Sequence, residues 1–124
     1  MLIFDVTCSS CLFSPGTFAR EGSMYVVDDD GTRVRCMHPL EHKAIEAVLG
    51  KDAGVDIVKR RTGRQHQWLC FRCSGVSELD SQVDRVGCAL CGSSVGRFFY
   101  DLDGRPCPSC GEGPMKVVET GLVS

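Results

Sequence analysis

Apolar and polar positions along the chain fall into short, separated runs, the pattern of strands and turns, with one helical exception. Residues 2-6 alternate weakly and read as a short strand leading toward Cys8. Met24-Tyr-Val-Val27 is β-favouring, Asp28-Asp-Asp-Gly31 is turn chemistry, and Thr32-Arg-Val-Arg35 resumes the strand pattern before Cys36, so a hairpin is expected there. The three aspartates lack the further spaced oxygens and closing Glu of a calcium loop, and read as a solvated turn. Pro39 opens the helical exception: Leu40, Ala44 and Val48 recur at i, i+4 and i+8, Ile45 and Leu49 widen the stripe, and Gly50 ends it. Between Lys51 and Gln67 only Val55-Asp-Ile57 reads as a further short strand. The spacer Ser74-Arg85 is polar and alternates poorly. Phe98-Phe-Tyr-Asp-Leu-Asp-Gly-Arg-Pro-Cys107 then repeats the features of residues 25-36: an apolar strand, an Asp-x-Asp-Gly turn, an arginine and a cysteine.

Composition changes how these elements must be held together. A chain of 124 residues is one domain or two very small ones, and with only 7% aromatic residues its apolar core is thin. Nine cysteines supply the alternative. Met1-Leu-Ile-Phe-Asp-Val-Thr has neither a basic n-region nor a long apolar run, so no signal peptide or membrane span is expected and the expected location is the reducing cytoplasm. An odd cysteine count also suits a disulfide framework poorly. Eight of the nine form four Cys-x-x-Cys units, Cys8/Cys11, Cys70/Cys73, Cys88/Cys91 and Cys107/Cys110. Two intervening residues let both sulfurs of a tight turn face one ion, which is half a tetrahedral site.

The ninth, Cys36, stands in Cys36-Met-His38, a Cys-x-His half-site. Five pairs make ten candidate ligands, whereas two tetrahedral ions need eight. Cys8, Cys11, Cys36 and His38, with a hairpin between the halves, are the expected first site. The second has two solutions: Cys70/Cys73 with Cys88/Cys91, or Cys88/Cys91 with Cys107/Cys110. The repeat favours the latter, since only 91-107 contains a convincing hairpin. The orphaned pair could recruit His66 and His42 for a third ion, interleave with a distant pair, or bridge a dimer.

With these knuckles the chain resembles tandem zinc-ribbon proteins, whose fold implies hairpins joining paired knuckles and whose members are mostly non-catalytic modules in transcription, translation and multiprotein assemblies. The Cys-x-His pair is also similar to part of a RING domain, but a RING would continue with Cys-x-x-Cys shortly after the histidine, and here that comes only at Cys70. Cys88-Ala-Leu-Cys-Gly92 and Cys107-Pro-Ser-Cys-Gly111 together resemble the two knuckles of a rubredoxin-like iron site, which implies electron transfer as the alternative. Pro106-Cys-Pro-Ser-Cys110 and His38-Pro-Leu-Glu41 mimic a zinc deaminase, but H-x-E fails by one residue and the alternating βα pattern is missing.

The expectation is therefore a small, metal-stabilised, mainly β chain of tandem zinc-ribbon-like hairpins with one short α-helix. Residues 1-50 would form an N-terminal ribbon with its helix, 51-67 a basic linker and 68-124 a Cys-rich ribbon region. Two or three Zn2+ ions, or iron in a four-Cys site, would be held by Cys8, Cys11, Cys36, His38, Cys70, Cys73, Cys88, Cys91, Cys107 and Cys110. No catalysis is expected, and the foremost partner is a larger protein or assembly. Net charge of -2 argues against bulk binding to polyanions. Nucleic acid would have to be met locally, by Lys59, Arg60, Arg61 and Arg64 beside the aromatic residues Trp68 and Phe71.

Overall fold

The structure is a computed structural model and describes residues 1-122. The chain divides into two units, one combining residues 1-21 with the stretch from His66 onward, the other Gly22–Gln65. The expected segments 1-50, 51-67 and 68-124 cut across this division, because residues 1-21 pack with the C-terminal part of the chain.

In the first unit, β1 (Leu2–Cys8) lies between β2 (Gly16–Ala19) and the chain's last strand, Met115–Leu122, in a three-stranded antiparallel sheet. Register runs from Ile3 opposite Ala19 on one side to Cys8 opposite Met115 on the other. Val6 and Cys8 are buried while Thr7 between them is exposed, the period-two alternation of a strand with one covered face. Val6, Phe18, Leu69, Phe99, Leu102 and Met115 form the main core together with Cys8 and Cys107. Phe18 stacks on Phe4 at 5.3 Å and meets Phe99 edge-on at 6.1 Å, the geometries that aromatic quadrupoles favour.

A second, smaller core gathers Trp68, Cys70, Leu79 and Cys88, with Phe98 packed against it. Consecutive residues of one strand point to opposite faces, so Leu69 enters the main core while Trp68 and Cys70 enter the smaller one. Their neighbours are the strands Val76–Leu79 and Gly96–Phe98, the latter placing Phe98 opposite Trp68. This differs from the hairpin expected over 91-107. Gly96–Phe98 pairs with residues 68-70, and Phe99–Asp101 turns as a 3-10 segment that buries Phe99. Burying both Phe98 and Phe99, in different cores, outweighs the local pairing suggested by the repeat.

In the second unit, β3 (Ser23–Val27) and β4 (Arg33–Cys36) form the expected hairpin. Asp28 closes its turn, its Oδ1 accepting the amides of Asp30 and Thr32 at 2.9 Å each. Helix α1 (Glu41–Leu49) ends at Gly50, whose φ of 91° suits glycine. A second helix, α2 (Val55–Arg61), replaces the short strand expected at 55-57. Asp56 in its first turn and Lys59, Arg60 and Arg61 in its last complement the helix dipole, and Thr62 Oγ1 donates to the Val58 carbonyl at 2.7 Å. The start of β5 (Thr62–Cys70) pairs with β3. The described residues are thus mainly β, with two helices and not one. Numbering on, β6 is Val76–Leu79, β7 Gly96–Phe98 and β8 Met115–Leu122.

Candidate metal centres

Each Cys-x-x-Cys unit folds into the same local turn. The first cysteine's amide donates to a carbonyl beyond the turn, from Cys8 to Phe13, Cys70 to Gly75, Cys88 to Ser93 and Cys107 to Gly113. In three of the four, the residue after the second cysteine returns its amide to the first cysteine's carbonyl: Ser74 to Cys70, Gly92 to Cys88, Gly111 to Cys107. Closing the turn this way requires left-handed backbone, and those residues have φ of 61°, 79° and 72°.

The same turns aim backbone amides at sulfur. Ser10 and Cys11 donate to Cys8 Sγ, Phe13 to Cys11, Arg72 to Cys70, Gly75 to Cys73, Leu90 and Cys91 to Cys88, and Ser109 to Cys107, at 3.3–3.4 Å. Such donors stabilise thiolate over thiol. The Cys91 amide, with that of Leu90, holds Cys88 at a pKa of about 6 despite burial, and the amides of Gly113 and Glu112 bring Cys110 to about 6. Cys8 and Cys70 are lowered too, chiefly by the Ser10 amide and the Cys73 amide respectively. Negative charge so concentrated leaves protons on Cys11 and Cys73. The Phe13 amide pulls Cys11 down, yet burial and the neighbouring cysteines push it to about 12; Cys73, bonded by the Gly75 amide, is pushed to about 12 by Cys88 and burial.

The knuckles assemble in pairs. Cys8, Cys11, Cys107 and Cys110 form one group and Cys70, Cys73, Cys88 and Cys91 another, with the sulfurs of each group all within 4.8 Å of one another. Between knuckles, Cys8 Sγ lies 3.7 Å from Cys110 Sγ and Cys11 Sγ 3.8 Å from Cys107 Sγ. In the second group Cys70 to Cys91 and Cys73 to Cys88 are both 3.5 Å. None of these is a disulfide. A tetrahedron with metal–sulfur bonds of about 2.3 Å has edges of about 3.8 Å, so each group has the dimensions of a site for a single ion. Either group can hold a metal ion.

The first group is closed by the β1–β8 pairing: β1 ends at Cys8, and Cys8 is opposite Met115, just after the Cys107/Cys110 turn. The second is closed around β5, which ends at Cys70 and continues into the knuckle that precedes β6. Cys8/Cys11 therefore face Cys107/Cys110, and not Cys36 and His38. Cys88/Cys91 face Cys70/Cys73, and not Cys107/Cys110 as the repeat suggested. The rubredoxin-like combination of Cys88/Cys91 with Cys107/Cys110 is consequently not assembled, the two knuckles belonging to different groups.

The other candidate ligands lie elsewhere. Cys36 is buried in the second unit, its thiol directed at the Val34 carbonyl 3.8 Å away, and its pKa is raised by burial and by Glu41. His38 Nδ1 is 2.9 Å from Glu41 Oε2. His42 is exposed, and His66 packs edge-on to the rings of Phe98 and Tyr100. Among the described residues no third group of ligands forms. Of the basic cluster, Arg61 bonds the Val27 carbonyl and pairs with Asp29 at 3.0 Å, and Arg64 adds to the lowering of the Glu41 pKa that the His38 hydrogen bond chiefly causes. Lys59 and Arg60 are exposed on α2. Trp68 and Phe71 are packed into the two cores.

Sequence reasoning alone does not reach the partner strand. Met115-Lys-Val-Val118 is a short apolar run, and its distance from residues 2-8 conceals that the two are neighbours. The signal available is the count itself: ten ligands in five pairs leave one pair spare, and the spare one is the pair with a histidine. Among the described residues no helix is long and apolar enough to cross a membrane. Comparison with family models, curated proteins and solved structures finds no match.

Proposed function

We propose that this protein is a non-catalytic zinc-binding module of the zinc-ribbon kind, whose surface serves as an interaction site or scaffold within a larger protein assembly. The observation that carries the reading is the spacing of the sulfurs, four thiols per group at tetrahedral-edge distances. Four thiolates complete the coordination of one zinc and leave no open position for water or substrate, which marks structural and not catalytic zinc. Amide donors to sulfur further stabilise such a site.

The candidate sites are built into the cores. Cys8 and Cys107 belong to the main core, Cys70 and Cys88 to the smaller one. A structural zinc site contributes about 10–16 kcal/mol in small peptides at neutral pH, comparable to the roughly 5–15 kcal/mol of net stability of a domain. A protein partner is supported by large apolar side chains left in solvent at the knuckles: Leu12, fully exposed after Cys11, and Leu90, largely exposed between Cys88 and Cys91.

The test is elemental analysis and a visible spectrum of the purified chain. Two zinc ions per chain and no colour are expected. Iron with a red colour would replace this reading with an electron-transfer site, and fewer than two ions per folded chain would overturn it.

A further inference from the structure

The aromatic partners expected for a nucleic-acid contact are Trp68 and Phe71, yet Trp68 is 1% exposed and Phe71 packs on the main core. Trp68 is thereby closed to a ligand, and Phe71 is engaged on one side by the core. The candidate is a different aromatic group. Phe98 and Tyr100 stack in parallel, their centroids 5.2 Å apart and their planes 7° from parallel. His66 stands edge-on to both, 6.5 Å from Phe98 and 5.3 Å from Tyr100. The inner ring is anchored, since Phe98 packs on the smaller core opposite Trp68. The outer ring, Tyr100, is 49% exposed. A half-exposed ring held by an anchored stacking partner is a platform whose ordering cost is met by the fold.

Charge beside the rings narrows the ligand. Asp101 follows Tyr100, and two guanidiniums converge on it: Arg97 Nη1 at 2.6 Å and Arg105 Nη2 at 3.6 Å. Asp101 is the partner of both guanidiniums, while Asp103, two residues on, turns its Oδ1 to the Val117 amide. The arginine side chains remain 37% and 45% exposed, within reach of a further anion. A half-exposed aromatic ring beside two partly exposed guanidiniums suits a ligand that is at once flat, aromatic and anionic. A duplex keeps its base faces internally stacked, whereas a single strand presents them.

We propose that Tyr100, stacked on Phe98, together with Arg97 and Arg105, forms a contact site for single-stranded nucleic acid, a base lying on Tyr100 and an adjacent phosphate on the guanidiniums. The inference rests on the reading of the chain as a metal-stabilised binding module and assigns that module a ligand class.

The experiment titrates labelled oligo(dT), oligo(U) and a matching duplex with metal-loaded protein, following anisotropy as salt is raised, with metal content measured on the same samples. Both single strands are expected to bind better than the duplex. Tyr100→Ala should weaken binding roughly five- to a hundredfold, the range for loss of one stacked base, and Tyr100→Phe should retain it. Arg97→Gln with Arg105→Gln should weaken binding for all sequences and flatten the salt dependence by about one. Asp101→Asn should tighten binding, since it releases both guanidiniums, and a purely structural role for these residues would give no such gain. Lys59→Gln with Arg60→Gln should change nothing. Full-strength binding by Tyr100→Ala, or loss confined to the Lys59/Arg60 variant, would overturn the site. So would a folded two-metal protein that binds no single strand, or one that instead binds a proline-rich peptide through Tyr100. Folded protein without metal would overturn the underlying reading separately.

Discussion

Ser74 is the one described non-glycine residue with positive φ, and it occupies the knuckle position that Gly92 and Gly111 fill in two of the others. A side chain there costs about 1–2 kcal/mol in the left-handed region, so Ser74→Gly is expected to raise the melting temperature of the metal-loaded protein; an unchanged or lower value would show that the serine side chain compensates. Gly113 is constrained differently. A Cβ at that position would lie 2.5 Å from Cys8 Sγ and 3.0 Å from Ser10, so Gly113→Ala should displace the sulfur and weaken metal retention in the first group, read by chelator competition. Cys36→Ser and His38→Ala should each leave metal stoichiometry unchanged, because neither residue joins a four-cysteine group. Protons compete for the same sulfurs. Cys88 and Cys110, near 6, are thiolates at neutral pH, whereas Cys11 and Cys73, near 12, must lose a proton to bind. Metal binding at pH 7 should therefore release protons, and affinity should fall as pH falls, measurable in a weakly buffered titration.

Among the elements, β5 carries the most consequence, since alternate residues of one strand feed both cores and its last residue, Cys70, belongs to a four-cysteine group. Its neighbour β7 approaches so closely that a Cβ on Gly96 would collide with the Leu69 carbonyl and the Trp68 ring. Gly96→Ala is expected to cost roughly 1–3 kcal/mol, the usual range for overpacking, in denaturant unfolding of the metal-loaded protein. The β3–β4 hairpin and α1 were legible because their signals are local: turn chemistry in Asp28-Asp-Asp-Gly31 and an i, i+4 stripe ended by Gly50. Helix α2 was not legible, because two apolar residues spaced by one polar residue in Val55-Asp-Ile57 match a strand as well as a helical turn. The charges that favour the helix lie just outside that window, in Lys59-Arg60-Arg61. The Phe98-Phe99 pair misled for a related reason, since identical neighbours on a strand imply continuation and nothing local shows that they enter different cores.

For the whole molecule, the two groups differ in how far apart their knuckles lie. Sulfur contacts in the first span 96 and 102 residues, in the second 15 and 21. Closing the longer loop costs about 1.5 kcal/mol more by the logarithmic rule. Zinc returned to metal-free chain should therefore occupy the second group first. Single-site chains make this measurable: Cys8→Ser, which retains the second group, should bind zinc more tightly than Cys70→Ser, which retains the first. Trp68 packs with Cys70 and Cys88, so chelation should shift its emission to the red as the smaller core opens, and zinc should reverse the shift. Emission unchanged on complete metal removal would contradict a structural role for the second group.

The local turn at each of the eight knuckle cysteines was legible in the sequence, because it is encoded within a few residues by Cys-x-x-Cys and those that follow. Their odd number and spacing also pointed to metal ligands over a disulfide framework, and the two four-cysteine groups are compatible with that. Which knuckle meets which was decided only by the tertiary structure. Cys8/Cys11 join Cys107/Cys110 because β1 and β8 pair across nearly the full chain, and Cys36/His38 are left aside because their hairpin belongs to a different unit. Four thiolate pairs of equal chemistry are interchangeable to a reader of spacing, and the choice among them is made by strand pairing and by the burial of Phe98, Phe99 and Met115, whose partners lie far away along the chain.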